Sequence, residues 1–255
     1  MAEVSLRCHP SETRARIREL AGEDEQAVES CSTWDAVRLI GAVLEDGALD
    51  PMTIAAADRD RILAAIYLET FGRRVDSTVH CTRCGNLFDL NFRLDELART
   101  LDQNASKIAR TAGPGIFESP AGFRFRLPTA AEEMEAARLA PASAEKWLAE
   151  RCLLEGSSDF ESLQAALEDA APALDLELDA HCPECNAAQT VRFDVQSFLL
   201  NAILQGRQKL WRDLHRIASA YHWSRQEILA MPRGERRELA DLIESESVAR
   251  RRVAL

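Results

Sequence analysis

Two short stretches of this 255-residue chain carry residues that can hold a metal: His80-Cys81-Thr82-Arg83-Cys84-Gly85 and His181-Cys182-Pro183-Glu184-Cys185-Asn186. Two cysteines three positions apart on a tight turn present two thiolates to one side of an ion. Each pair fills half of a tetrahedron, so together they make a closed four-cysteine shell of the kind that holds structural zinc. The predicted ligands are Cys81, Cys84, Cys182 and Cys185, and the predicted cofactor is a structural Zn2+. A disulfide pair, two redox-active dithiols and buried free thiols are the competing uses of such cysteines. Redox C-x-x-C motifs open a helix after a strand, whereas these lie inside hairpin patterns. His80 and His181 each precede a ligand, but four thiolates leave them no coordination position, so a hydrogen-bonding or surface role is expected.

The surroundings of the two pairs repeat. Phe92 lies eleven residues after Cys81 and Phe193 eleven after Cys182, and the apolar match continues with Leu94 and Val195, then Leu97 and Phe198. Val75–Val79 and Leu174–Leu178 alternate apolar and polar residues ahead of the cysteines, and Leu87–Phe92 and Gln189–Val195 have strand character behind them. Each repeat therefore reads strand, knuckle, strand, helix. Gly85 and Asn186 stand where the backbone turns with positive φ, a conformation open to Gly and next most readily to Asn. Closing the loop of ninety-seven residues between the knuckles costs about 4–5 kcal/mol of chain entropy. Structural zinc contributes about 10–16 kcal/mol in small peptides, so a metal can act as the clasp. The expected fold class is α+β: a split zinc ribbon, in which two strand–CxxC–strand repeats share one four-cysteine site, with a helical insertion and helical N- and C-terminal regions.

Five segments are expected. Residues 1–72 form an N-terminal helical region. Its first 30 residues are polar and weakly patterned, and are expected to be loosely ordered and poor in strands. A helix capped at Ser32 carries Trp34, Val37, Ile40 and Leu44 on one face, and a second, from near Asp58, carries Ile62, Leu63, Ile66, Tyr67 and Phe71 before Gly72 stops it. Residues 73–110 hold the first ribbon half and a helix, capped by Asp95, running towards Arg110.

Residues 111–173 form the insertion, which should hang from one end of the ribbon. It has a break at Thr111–Gly115, a hairpin over Ile116–Leu127 with Arg124 and Arg126 outward, and a capping box from Thr129 to Glu132. A helical stretch follows, with Trp147, Leu148, Leu153 and Leu154 as its core marks. Residues 174–205 hold the second ribbon half, and 206–255 a C-terminal helical module. There Leu210, Leu214, Ile217 and Tyr221 make an amphipathic stripe, Ser224 to Glu227 is a capping box, and Leu239, Leu242 and Ile243 face inward on a last helix. Trp211, Tyr221 and Trp223 gather at one corner, as a small helical core or as a partner-binding patch.

Charge separates the module from the rest. The net charge is −11, yet residues 206–255 hold eleven Arg and Lys against seven Asp and Glu, a balance of +4, so residues 1–205 carry −15. An acidic body repels phosphate backbones, which leaves the tail with Arg250-Arg251-Arg252 as the support for the alternative function, a zinc-ribbon regulator binding nucleic acid. No membrane span is visible. Met1–Pro10 has no apolar run behind Glu3 and Arg7, so no signal peptide and a cytoplasmic location are expected. An odd number of cysteines, seven, suits a reducing compartment, with Cys8, Cys31 and Cys152 as small apolar or inert thiols. Gly-rich phosphate loops, H-E-x-x-H and G-x-S-x-G are absent, and His215 and His222, seven apart, lack further ligands. A non-enzymatic protein is expected.

Asp58-Arg59-Asp60-Arg61-Ile62-Leu63, Phe71-Gly72, the two C-x-x-C repeats and Arg126-Leu127-Pro128-Thr129 form a pattern that ends in Leu214-His215-Arg216-Ile217-Ala218 and Tyr221-His222-Trp223-Ser224-Arg225-Gln226-Glu227-Ile228-Leu229-Ala230. Over roughly residues 50 to 245 the chain resembles the baseplate hub assembly proteins (chaperones) of T-even phages and contractile injection systems. Asn186 replaces the glycine common after the knuckle, and His222 stands where Gly is common. The resemblance implies a non-enzymatic assembly factor or minor subunit of a contractile tail, acting in the cytoplasm where particles are built. Its implied partners are baseplate, hub or tape-measure proteins, and it transfers no catalytic residues.

Overall fold

The protein, seen here as a computed structural model, is described over residues 2–45, 47, 49–104, 110–170 and 172–253. It is a mixed helix and sheet structure with small antiparallel sheets. It begins with strands, contrary to the loosely ordered lead-in expected for residues 1–30. β1 (Ala2–Ser5) pairs antiparallel with β2 (Arg14–Ile17). The signal is brief: Val4 and Leu6, then Ala15 and Ile17, alternate over very short strands, yet all four are buried.

α1 (Gly22–Ala27), α2 (Thr33–Val43) and α3 (Ala56–Phe71) complete the first layer. Ser32 caps α2 by accepting the Asp35 N–H, and the buried face is Ala36, Val37, Leu39, Ile40 and Val43. Trp34, expected on that face, is 50% exposed, and Leu44 lies just past the helix end. α3 buries Ile62, Leu63, Ile66 and Tyr67 as its period predicts.

β3 (Arg74–His80) and β4 (Leu87–Arg93) form the first C-x-x-C hairpin, followed by α4 (Leu94–Asn104). Asp95 lies inside the first turn of α4, where Arg93 donates to its carboxylate. The expected extension of that helix covers residues 105–109, outside the described residues, and Arg110 already belongs to β5 (Arg110–Gly113).

β5, β6 (Ile116–Glu118), β7 (Arg124–Phe125) and β8 (Leu153–Glu155) make a four-stranded antiparallel sheet, so the expected hairpin is its centre. α5 (Ala130–Ala136), with its Thr129–Glu132 capping box, α6 (Pro141–Cys152) and α7 (Phe160–Ala170) surround it. The core here is Phe117, Phe123, Phe125, Leu127 and Leu163, packed on Cys8, Ala55 and Ala57 of the N-terminal layer. The expected core marks are peripheral: Leu153 and Leu154 belong to β8, Leu154 is 44% exposed, and Trp147 and Leu148 are half-buried. Arg126, expected outward, is a half-buried partner of Glu132.

β9 (Asp175–His181) and β10 (Ala188–Asp194) form the second C-x-x-C hairpin. Its register repeats the first: Arg74 pairs with Arg93 and His80 with Leu87, as Asp175 pairs with Asp194 and His181 with Ala188. Asp194 then caps the 27-residue α8 (Val195–Tyr221) by accepting the Gln196 and Ser197 N–H groups. The first turns of α8 bury Val195, Leu199, Leu200 and Ile203 in the main core. His222 ends the helix in the left-handed region (φ 58°), the conformation that favours Gly or Asn there. α9 (Arg225–Ala230) and α10 (Arg233–Val253) fold back on α8 around Ile217, Ile228 and Ala240. Leu239 and Ile243 pack on that cluster as expected, while Leu242 is 48% exposed. α10 continues through Arg250, Arg251 and Arg252.

Buried charges join these parts. On α3, Asp58 accepts the backbone N–H groups of Arg7 (2.9 Å) and Cys8 (2.8 Å), Arg59 pairs with Glu133 of α5 (2.8 Å), and Asp60 accepts the Leu174 N–H at the root of the second hairpin (2.8 Å). Glu25 of α1 binds both Arg233 and Arg236 of α10, with Arg236 only 1% exposed. Gly22 leaves room for this, since a Cβ there would sit 2.7 Å from Arg236 Nη1.

Removing Glu25 strands two buried guanidinium groups. Glu25→Ala is expected to lower the unfolding free energy by about 3–5 kcal/mol in a urea titration; an unchanged midpoint would show that water already satisfies them. Burial pushes the Asp60 carboxyl up to about 6, against the Leu174 N–H and Arg59, which pull it down. Its folded pKa thus lies above the ordinary 3.8, so its contribution favours folding in acid and is lost as pH rises through about 6. Asp60→Asn keeps an acceptor for Leu174 and should flatten the pH dependence of the urea midpoint between about pH 4 and 6.5, with a gain at neutral pH. A loss of stability at neutral pH would contradict this account.

Candidate metal centre

The two hairpin tips build the same turn. In the first, the Cys81 N–H donates to the Asn86 carbonyl (2.9 Å) and the Gly85 N–H to the Cys81 carbonyl (2.9 Å). In the second, the Cys182 N–H donates to Ala187 (3.0 Å) and the Asn186 N–H to Cys182 (2.9 Å). Gly85 (φ 75°) and Asn186 (φ 53°) both take the positive φ that the turn requires.

The tips face each other, and their four sulfurs lie within 4.8 Å of one another. Cys81 Sγ is 3.6 Å from Cys185 Sγ, and Cys84 Sγ is 3.8 Å from Cys182 Sγ. A tetrahedral ion with metal–sulfur bonds of about 2.3 Å sets its ligands about 3.8 Å apart, so the sulfurs already stand near coordination distance. None is in a disulfide. Cys81 and Cys182 are buried against Phe88 and Ala180, Cys185 is half-buried and Cys84 is exposed. Among the described residues these four form the one cluster of metal-ligating side chains.

The four thiols are close enough to perturb one another. Backbone N–H groups of Cys84 and Arg83 hold the Cys81 thiol down at about 6. At Cys84 the Asn86 N–H acts in the same direction, but local desolvation of the sulfur and its hydrogen bonds with the neighbouring thiols outweigh it and push the thiol up to about 12. Cys185 is raised in the same way, against the Ala187 N–H. These opposite shifts belong to one hydrogen-bonded group of thiols, whose protons come off as a set. A bound dication would deprotonate all four. The donor set fits zinc, and four thiolates leave it no position for water or substrate.

Beneath the tips, the main core holds the hairpin roots. Phe92 meets Phe193 edge to face at 4.9 Å, and Phe198 joins Phe193 (5.5 Å) to Tyr67 of α3 (5.5 Å). Leu94 N–H donates to the Arg73 carbonyl and Val195 N–H to Leu174, closing both hairpins alike.

His80 and His181 are exposed and sit outside the cluster, and His215 and His222 join no ligand group among the described residues. Burial pushes Cys8 up to about 12 and Cys152 up to about 11, as suits inert thiols, and Cys31 is half-buried. Trp211 (44%), Tyr221 (40%) and Trp223 (40%) are on the surface, outside the small core formed by Ile217, Ile228 and Ala240. Tyr221 stacks on Trp223 at 5.1 Å, and the Arg225 guanidinium lies 5.1 Å from the Trp211 ring centre. The site residue that sequence reasoning passed over is Gln189, which bridges the hairpins; its signal was a polar residue at an inward position of an alternating strand.

Compared with known proteins, the chain matches no family model, no curated protein and no solved structure. Among the described residues no helix is long and apolar enough to cross a membrane.

The purified chain is expected to hold one zinc ion, with its four thiols protected until a chelator is added, and Cys182→Ser to lose the ion. Metal retained in full by that variant would show that the tips do not share a site.

Proposed function

We propose that the chain is a non-enzymatic, zinc-containing assembly factor or minor structural subunit of the baseplate or hub of a contractile tail or tail-derived injection machine. In this reading the two hairpins are the halves of a split zinc ribbon clasped by Cys81, Cys84, Cys182 and Cys185. The zinc is structural, because a shell of four thiolates has no open position for activating water. The clasped ribbon holds the root of α8, and 27 residues of helix reach about 40 Å. Its outer half carries Trp211 and Tyr221, and Trp223 follows just past its end.

The observation that carries the proposal is that aromatic corner. Large aromatics left on the surface beside Arg225 have the composition of a binding hot spot. Tyr221 and Trp223 also fall in the stretch most distinctive of the baseplate hub resemblance, Leu214–Ala218 and Tyr221–Ala230, and Trp211 lies three residues before it. The partners proposed are hub, baseplate or tape-measure proteins, met in the cytoplasm during assembly.

Trp211→Ala with Trp223→Ala should weaken capture of the hub or tape-measure protein by about thirtyfold or more, the effect of losing a hot-spot residue of about 2 kcal/mol. The thermal midpoint should barely move, because both side chains are exposed. Undiminished capture by the folded variant would remove the docking role, and a salt-sensitive shift of DNA or RNA would favour the nucleic-acid regulator.

A further inference from the structure

We propose that Gln189 is the positioning residue of the metal centre, an amide clamp from the second hairpin that fixes the first knuckle around Cys81. The proposal rests on the reading of the four cysteines as one zinc site.

Within the first knuckle the Cys81 N–H goes to the Asn86 carbonyl and that of Gly85 to the Cys81 carbonyl. The Thr82 N–H finds its acceptor outside the knuckle, donating to Gln189 Oε1 at 2.9 Å. The amide nitrogen of Gln189 donates to the His80 carbonyl at 3.1 Å. One side chain thus grips the residues on either side of Cys81, and both bonds cross between hairpins more than a hundred residues apart in sequence.

Among the described residues the second knuckle has no such clamp, and it needs none. The position matching Thr82 is Pro183, which has no N–H to satisfy. The strand position matching Gln189, seven residues after the first cysteine, is Phe88 in the first hairpin, buried in the small core below the sulfurs. The repeat is therefore broken at two matched places, Thr for Pro and Gln for Phe, and the second break satisfies the donor that the first exposes. Such an arrangement forms only when the tips meet. It orients ligands that it does not itself join, the role of partners that support metal-binding side chains.

Zinc transfer to an excess of a chromogenic chelator tests this in the whole chain, with Gln189→Leu, Thr82→Pro and the double variant. Gln189→Leu should release zinc about tenfold faster, the lower end for a supporting residue, since water reaches the clamp. In the Thr82→Pro background the same change should add less than about twofold, because the donor is gone. Amide exchange supplies a second readout: Thr82 should be protected in the native chain and lose protection in Gln189→Leu while Arg83 and Cys84 keep theirs. Equal release rates, an unprotected Thr82 in the native chain, or an undiminished Gln189→Leu effect without the Thr82 donor would each overturn the clamp while one zinc per chain upheld the metal site. A native chain that binds no zinc would overturn both.

Discussion

Everything in this molecule answers to one constraint: two turns separated by ninety-seven residues must arrive within a few ångströms of each other with four sulfurs facing inward. Each turn has its own closing backbone hydrogen bonds and its own positive-φ residue, although the first also takes an acceptor for Thr82 from the opposite hairpin. Neither can complete a tetrahedron. The loop-closure entropy must be met by contacts that bring the hairpin roots together, and metal binding can then be added to a site already assembled. The edge-to-face pair of Phe92 and Phe193, one from each repeat, is the most direct of those contacts.

α3 is the frame behind them. Its apolar face packs in the main core, and its first turns carry three charges that each tie down a different part of the chain: Asp58 the N-terminal strands, Arg59 the insertion, and Asp60 the second hairpin. Buried charges cost desolvation energy and are retained where they fix one arrangement over others, and here each is matched to a specific donor or counter-charge. Glu25 with Arg233 and Arg236 does for the C-terminal helices what α3 does for the hairpins. The result is a body whose parts are held by polar contacts between apolar clusters.

Against that body, the aromatic corner differs in kind. Trp211, Tyr221 and Trp223 contact each other or Arg225 and remain open to solvent, although the chain has few aromatics with which to fill its cores. A long helix that continues from the second hairpin, packs on α3 and carries exposed rings would let a clasped ribbon present them to a partner, which is the physical sense of the scaffold role proposed above.

Local rules made much of this legible. The C-x-x-C spacing and its repetition named the four sulfurs, the flanking alternation named four strands, and Ser32, Thr129 and Ser224 announced helix starts that the structure keeps. Those features depend on residues within a turn or two of each other, where backbone geometry leaves few options. The short strands at the N-terminus escaped because four residues of alternation carry too little signal, and Trp34, Leu154 and Leu242 were misplaced because periodicity identifies a helix or strand but not what covers it. Which distant groups the buried charges of α3 would meet, that the insertion would lean on Cys8 and Ala55, and that Gln189 would reach Thr82 were decided only in three dimensions. Each depends on a partner at least fifty residues away in sequence, and no local propensity records such a distance.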